Sequence, residues 1–230
     1  MPDRAPSTLA SMWRPGPGRF ARLILGLILF GAGEGLLIVS DLGNSPWTVF
    51  SQGISLNTPM SIGAATIAVS FAVLLLWFPL RQPLGLGTIA NAIVVGLAIE
   101  ATVRLMPEES PLGVRWSLMA GGIGLVALGS GFYLTAALGP GPRDGLMTGL
   151  HRRTGLSLRL VRASIEITVL VVGFALGGTV GVGTVAFALA IGPGVQFAVE
   201  RLTTPEWRAL ELHRRVLHEP GIGPFLNSRG

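Results

Sequence analysis

Apolar runs of about twenty residues alternate along the chain with short breaks of glycine, proline and arginine. The runs are Phe20–Ser40, Met60–Pro79, Pro83–Leu105, Trp116–Leu138, Ser157–Leu176 and Thr179–Glu200. Each approaches the roughly 20 residues that an α-helix needs to cross a bilayer. The pattern predicts six membrane spans. The break between the last two runs is Gly177-Gly178-Thr179-Val180-Gly181, and its counterpart earlier in the chain, Arg81-Gln82-Pro83-Leu84-Gly85, is a clearer turn.

The pattern is written twice. Gly33, Leu42, Gly43, Pro46, Gly53, Ser61, Phe78, Gly85, Thr88 and Gly96 recur as Gly129, Leu138, Gly139, Pro142, Gly149, Ser157, Phe174, Gly181, Thr184 and Gly192. Every pair is 96 positions apart, as 139 is from 43. Three spans per copy is an odd number, so the second copy is expected upside down relative to the first. Carriers are often built this way. The expected fold is an all-α integral membrane protein of six transmembrane helices, arranged as two inverted three-helix repeats. Residues 1–19 read as a disordered cytoplasmic tail and 20–105 as the first repeat. An outer loop at 106–115 then leads into the second repeat at 116–202. Residues 203–230 read as a cytoplasmic tail with a short interfacial helix, in which Thr204 caps and Pro205 takes the first helical position.

A corner follows the first span of each copy: Leu42-Gly43-Asn44-Ser45-Pro46-Trp47 and Leu138-Gly139-Pro140-Gly141-Pro142-Arg143-Asp144. Glycine and proline end the span, and Ser45-Pro46 and Gly141-Pro142 each suit the start of a new helix. The new helices, Pro46–Leu56 and Pro142–Thr154, are too short to span. They could lie flat or dip inwards as half-helices. Interrupted segments at matching positions in two halves point to a transporter site.

Composition supports the membrane reading. Hydrophobic residues make up 50% of the chain and charged ones 13%, about half the usual share of a soluble domain. No cysteine occurs, which excludes disulfides and thiolate chemistry. The basic residues are seventeen arginines, with a net charge of +5. Six spans with an inner N-terminus put all of them except Arg104 and Arg115 on the cytoplasmic side, as the positive-inside rule requires. This gives a multi-pass membrane protein with both termini cytoplasmic and its surface against lipid, and it argues against nucleic acid as a partner. The five tryptophans lie near predicted interfaces and read as anchors.

The candidate chemistry is ionisable and intramembrane. Glu34 sits within Gly31-Ala32-Gly33-Glu34-Gly35 in the first span, where a carboxyl is expensive and by default functional. Arg162 and Glu166 are one helical turn apart in the fifth span and can pair. Arg143 and Asp144 join them from the second corner, and Asn44 and Ser45 come from the first. Asn91 and Gln196 are intramembrane amides suited to bonds between helices. Thr88, Ala92 and Gly96, like Thr184, Ala188 and Gly192, form stripes of small residues suited to close packing. Sequences typical of hydrolases, zinc proteases and nucleotide-binding loops do not occur. No enzyme activity, cofactor or metal site is expected.

The second copy carries Gly141-Pro142-Arg143-Asp144-Gly145-Leu146-Met147, then Val161-Arg162-Ala163-Ser164-Ile165-Glu166, then Leu176-Gly177-Gly178-Thr179-Val180-Gly181-Val182-Gly183-Thr184-Val185. Together with Gly43-Asn44-Ser45-Pro46-Trp47, this text resembles the YczE/YyaS/YitT family of bacterial membrane proteins, from Phe20 to Arg201. The resemblance implies a multi-span protein of the bacterial inner (cytoplasmic) membrane and adds little about activity. The function expected from the residues is a carrier for a small polar or anionic solute, with a homodimer as a candidate assembly. The competing class is a membrane scaffold or regulator of a partner complex.

Overall fold

A computed structural model describes residues 12–107 and 110–203. Most of the N-terminal tail and the expected tail helix from Thr204 lie outside the described residues. The described chain is helical without strands. Its helices are α1 (Pro17–Ser40), α2 (Pro46–Leu56), α3 (Ile62–Leu80), α4 (Leu86–Leu105), α5 (Leu112–Ala136), α6 (Pro142–Thr154), α7 (Leu158–Ala175) and α8 (Val182–Leu202). Five of them, α1, α3, α4, α5 and α8, are long and apolar enough to cross a membrane. Helix α7 has 18 residues and carries Arg159, Arg162 and Glu166. Helices α2 and α6, with 11 and 13 residues, are too short to span.

Local sequence sets the ends of these helices, and it does so twice. Helix α1 stops where Asp41 turns left-handed (φ 49°), followed by Gly43 at φ 114°. Helix α5 stops in the same way, with Ala137 at 53° and Gly139 at 119°. Glycine takes such angles without strain from a side chain. Pro46 and Pro142 then open α2 and α6. Ser61 caps α3 by accepting from the Ala64 N–H, and Ser157 caps α7 by accepting from the Leu160 N–H, each at 3.3 Å. Ser45 departs from its expected role. It precedes α2 but makes no capping bond, because its hydroxyl is drawn to Glu34.

Tertiary contacts repeat with the same 96-residue offset. Helices α1 and α5 run antiparallel, with Gly26 against Gly129 and Gly33 against Gly122. A methyl group at Gly129 would lie 2.5 Å from the Phe30 nitrogen, and one at Gly33 would lie 2.6 Å from the Gly122 oxygen. Shifting one member of each pair forward and the other back by 96 turns the first contact into the second. The corners exchange similarly: the Gly183 N–H donates to Leu42 O at 2.7 Å, and the Gly87 N–H to Leu138 O at 2.8 Å. The short helices cross over, α2 packing on α7 and α6 on α3. Side-chain bulk differs between the two crossings. Gly53 meets Gly173 in the first, whereas the Trp77 ring covers Gly145 in the second and donates Nε1–H to Pro142 O at 3.0 Å.

Two features break the correspondence. Helix α3 packs along α4, where a methyl at Gly63 would come within 2.5 Å of Gly96 O. Their counterparts α7 and α8 barely touch, and a methyl at Gly192, which corresponds to Gly96, would meet nothing within 4 Å. Gly96 of the small-residue stripe therefore packs on a neighbouring span while Gly192 lies open, whereas Thr88 and Thr184 are both buried against the opposite corner. The tryptophans also divide. Trp13 and Trp116 are exposed, as anchors would be, but Trp47 and Trp77 are buried in a cluster with Val69, Val73, Leu146, Met147 and Val161. Trp207 lies outside the described residues.

Candidate functional site

The corners bring α2 and α6 back into the bundle with their N-terminal ends inwards. Ser45, Pro46 and Trp47 from one, and Gly141, Arg143 and Asp144 from the other, line a single cavity of about 230 Å³. This is below the roughly 300–1,000 Å³ of sites for drug-sized ligands and suits a small solute.

Glu34 lies six residues before the end of α1, about 9 Å along the helix at 1.5 Å per residue. It is 1% exposed. Ser45 Oγ lies 3.0 and 2.8 Å from its two oxygens, and Thr48 Oγ1 donates to Oε2 at 2.7 Å. The carboxyl therefore faces the first turn of α2, whose dipole and free N–H groups favour negative charge. The second copy inverts this chemistry. Ser130 occupies the position corresponding to Glu34, and Asp144 the one corresponding to Thr48. Here the half-helix supplies the acid and the span supplies the hydroxyl, with Tyr133 donating to Asp144 Oδ2 at 2.7 Å.

Arg143 and Trp47 are also counterparts, and they meet. The Arg143 guanidinium carbon lies 5.0 Å from the centre of the Trp47 ring, a cation–π distance. The sequence placed Arg143 in an inner loop, whereas the fold carries it to the cavity wall. Arg162 and Glu166 pair as expected, at 2.8 Å, and both also line the cavity. Asn44 takes a different place. It does not line the cavity, and its Nδ2–H donates to Gln52 Oε1 at 2.9 Å. The Thr179 N–H donates to the same oxygen at 2.8 Å, Gln52 Nε2–H donates to Thr179 Oγ1 at 3.1 Å, and the Asn44 N–H donates to Thr179 O at 3.2 Å. This clasp joins the first corner to the turn before α8.

The clasp has no equivalent in the second copy, where Pro140, Thr148 and Pro83 stand in the same places and the prolines lack an N–H. Gln52→Leu is expected to cost about 1–3 kcal/mol, since Asn44 and Thr179 lose their acceptor. A lower unfolding temperature in detergent measures this, and an unchanged one would show that the clasp contributes nothing.

Sequence reading missed Trp47, Thr48 and Tyr133 as site residues. The repeat itself held a signal: Trp47 corresponds to Arg143, and Thr48 to Asp144. Tyr133 is the chain's single tyrosine. Asn91 lines the cavity, while Gln196 bonds Glu200 within its own helix instead of reaching another.

An all-helical bundle with five candidate spans and polar groups gathered at its centre defines a multi-pass membrane protein. Residues 18–200 match the model of a family of unknown function, DUF6198, and the chain belongs to that family. It is 45% identical over 187 residues to an uncharacterized protein of Haemophilus influenzae, covering 81% of this chain and 86% of the relative. It is 29% identical over 184 residues to the uncharacterized membrane protein YczE of Bacillus subtilis, covering 79% and 85%. It is 27% identical over 165 residues to the uncharacterized protein YyaS of the same organism, covering 70% and 82%. The resemblance read from the sequence holds for YczE and YyaS. No solved structure matches the chain.

Proposed function

We propose that this protein is a small-solute carrier of the bacterial inner membrane, with six spans in two inverted repeats and both termini cytoplasmic. In this reading α7 also spans, as the fifth of the six in chain order. Its charges are tolerable because Arg162 and Glu166 neutralise each other and line the cavity, while Arg159 sits in the first turn, at the inner end of the helix. Inversion is supported by the antiparallel α1–α5 contact, whose glycine pairs exchange under the 96-residue shift.

One observation carries the carrier reading. Two equivalent helix pairs flank the same polar cavity, and one is closed (α3 with α4) while the other is parted (α7 from α8). Inverted repeats alternate by exchanging such arrangements. With the N-terminus cytoplasmic, α7 begins and α8 ends on the inner side. The gap beside Arg162, Gly192 and Val195 then reads as an inward opening. In the outward state α7 closes on α8 and α3 parts from α4.

Cysteine pairs test the alternation, and the lack of native cysteine keeps the readout clean. Ile67 lies against Gly96, and their counterparts are Ala163 and Gly192. Ala163→Cys with Gly192→Cys is expected to crosslink under oxidation and to stop solute flux in proteoliposomes until reduced. Flux that persists in fully crosslinked protein, or an intact carrier in which this pair never crosslinks, would sink the proposal. If no solute in a broad panel moves or stabilises the protein and a stoichiometric partner co-purifies, the scaffold reading replaces it.

A further inference from the structure

We infer that the cavity takes a small organic anion, whose carboxylate or similar head is held by Arg143 above Trp47. This deepens the carrier reading and depends on it only for transport, not for binding.

Most charges around the cavity are already satisfied. Arg162 is paired to Glu166. Glu34 and Asp144 accept from the neutral hydroxyls of Ser45, Thr48 and Tyr133. Arg143 makes no hydrogen bond to any described residue, and no described carboxylate oxygen comes within 4.0 Å of its nitrogens. The Trp47 ring engages a face of the guanidinium and leaves the five N–H donors at its edge. Glu34, Asp144 and Glu166 line the same cavity and act on its charge through space, but none accepts from it, so the fork is left free for the oxygen atoms of a ligand.

Trp47 lines the cavity with the ring on which the guanidinium rests, and its own indole Nε1–H is buried away from the cavity without an acceptor. A buried donor left unpaired costs about 1–3 kcal/mol and is uncommon. The N-terminal ends of α2 and α6 add positive potential at the same place. The unspent donors of the site are therefore the N–H groups of Arg143, beside the two helix starts. Phe30, Val126, Phe187 and Ile191 also line the cavity and offer apolar surface. A compact solute with one anionic head and a short apolar body matches both surfaces.

Butyrate and butyramide separate charge from shape, since they differ little except in charge. Titration of purified full-length protein with each is expected to show saturable butyrate binding and none for butyramide at the same concentrations. Inorganic phosphate tests whether charge alone suffices, and 4-aminobutyrate adds an ammonium that Asp144 could receive. Arg143→Gln should weaken butyrate about ten- to a hundredfold. Trp47→Phe keeps an aromatic face under the guanidinium and removes an N–H that is closed off from the cavity, so it should change affinity little. Arg143→Lys keeps the charge without the fork and should fall between wild type and Arg143→Gln.

Equal binding of butyramide, unchanged butyrate affinity in folded Arg143→Gln, or strong preference for 4-aminobutyrate would overturn the anion site. So would the failure of both butyrate and phosphate to bind. The comparison of the two isosteres uses wild-type protein, so it stands even if a variant does not fold. Arg143-dependent binding without flux in proteoliposomes would overturn the carrier and leave the anion site standing. Flux of neutral solutes untouched by Arg143→Gln would do the reverse.

Discussion

Replacing Gly129 with leucine is expected to leave almost no folded protein. A side chain there would enter space held by the Phe30 backbone and Gly26 O, so the struck atoms belong to the α1 helix itself. Overpacking usually costs about 1–3 kcal/mol, because side chains move aside. A backbone cannot do so without separating the two helices. Within a bilayer the close approach of small residues is a main source of helix association, so separation removes the contact and offers little in return. Gly122→Leu should be equally damaging, because a side chain at Gly122 would meet Gly33 O at 2.8 Å in the equivalent contact. Gly124 is the control. It lies on the same helix with nothing within 4 Å, and Gly124→Leu should be tolerated. The yield of monodisperse protein after detergent extraction measures all three. Wild-type yields for Gly129→Leu would mean that α1 and α5 do not pack as described.

Glu34→Gln is expected to abolish pH-driven flux while leaving the fold intact. The amide has nearly the carboxyl's shape, and its oxygen can still accept from Ser45 and Thr48. The exchange of roles is lost. An ionised carboxylate only accepts, whereas a protonated one must also donate, so the hydroxyls rotate and the first turn of α2 feels a different charge. Glutamine is fixed in the neutral form. In proteoliposomes with an imposed pH gradient, wild type should accumulate solute and Glu34→Gln should only equilibrate it. Equal accumulation by both would remove Glu34 from the coupling mechanism. Unfolding temperatures close to one another would show that the loss is not one of stability.

The half-helices are legible to the residue. Pro46–Leu56 and Pro142–Thr154 appear in the structure with the bounds read from the corners, because proline at a helix start and glycine at a turn act through local backbone geometry. The first span is nearly so, with α1 beginning at Pro17, three residues before Phe20. Other residues are misplaced for reasons that local sequence does not contain. Arg143 lies among glycines and prolines with an aspartate beside it, and in linear sequence that is the mark of a loop. Trp47 sits beside a predicted interface, the usual place of an anchor, yet it is buried. Asn44 stands next to Ser45 and shares its candidacy, yet it serves the clasp and not the cavity.

The helices, their breaks and the duplication follow from the chain read in order, since hydrophobic length, turn residues and a fixed repeat spacing are linear properties. Glu34 and the Arg162–Glu166 pair stand out in the same way, because charge in an apolar run is conspicuous without coordinates. Which charges meet was left to the fold. Two corners 96 residues apart had to turn inwards before Arg143 could rest on Trp47 and Tyr133 could reach Asp144. The fold also decided that α3 closes on α4 while α7 stands off from α8, although α4 and α8 carry the same small residues. Small residues permit close packing but do not require it, and the facing helices differ where they would meet: Gly63 of α3, which lies against Gly96, corresponds to Arg159 of α7.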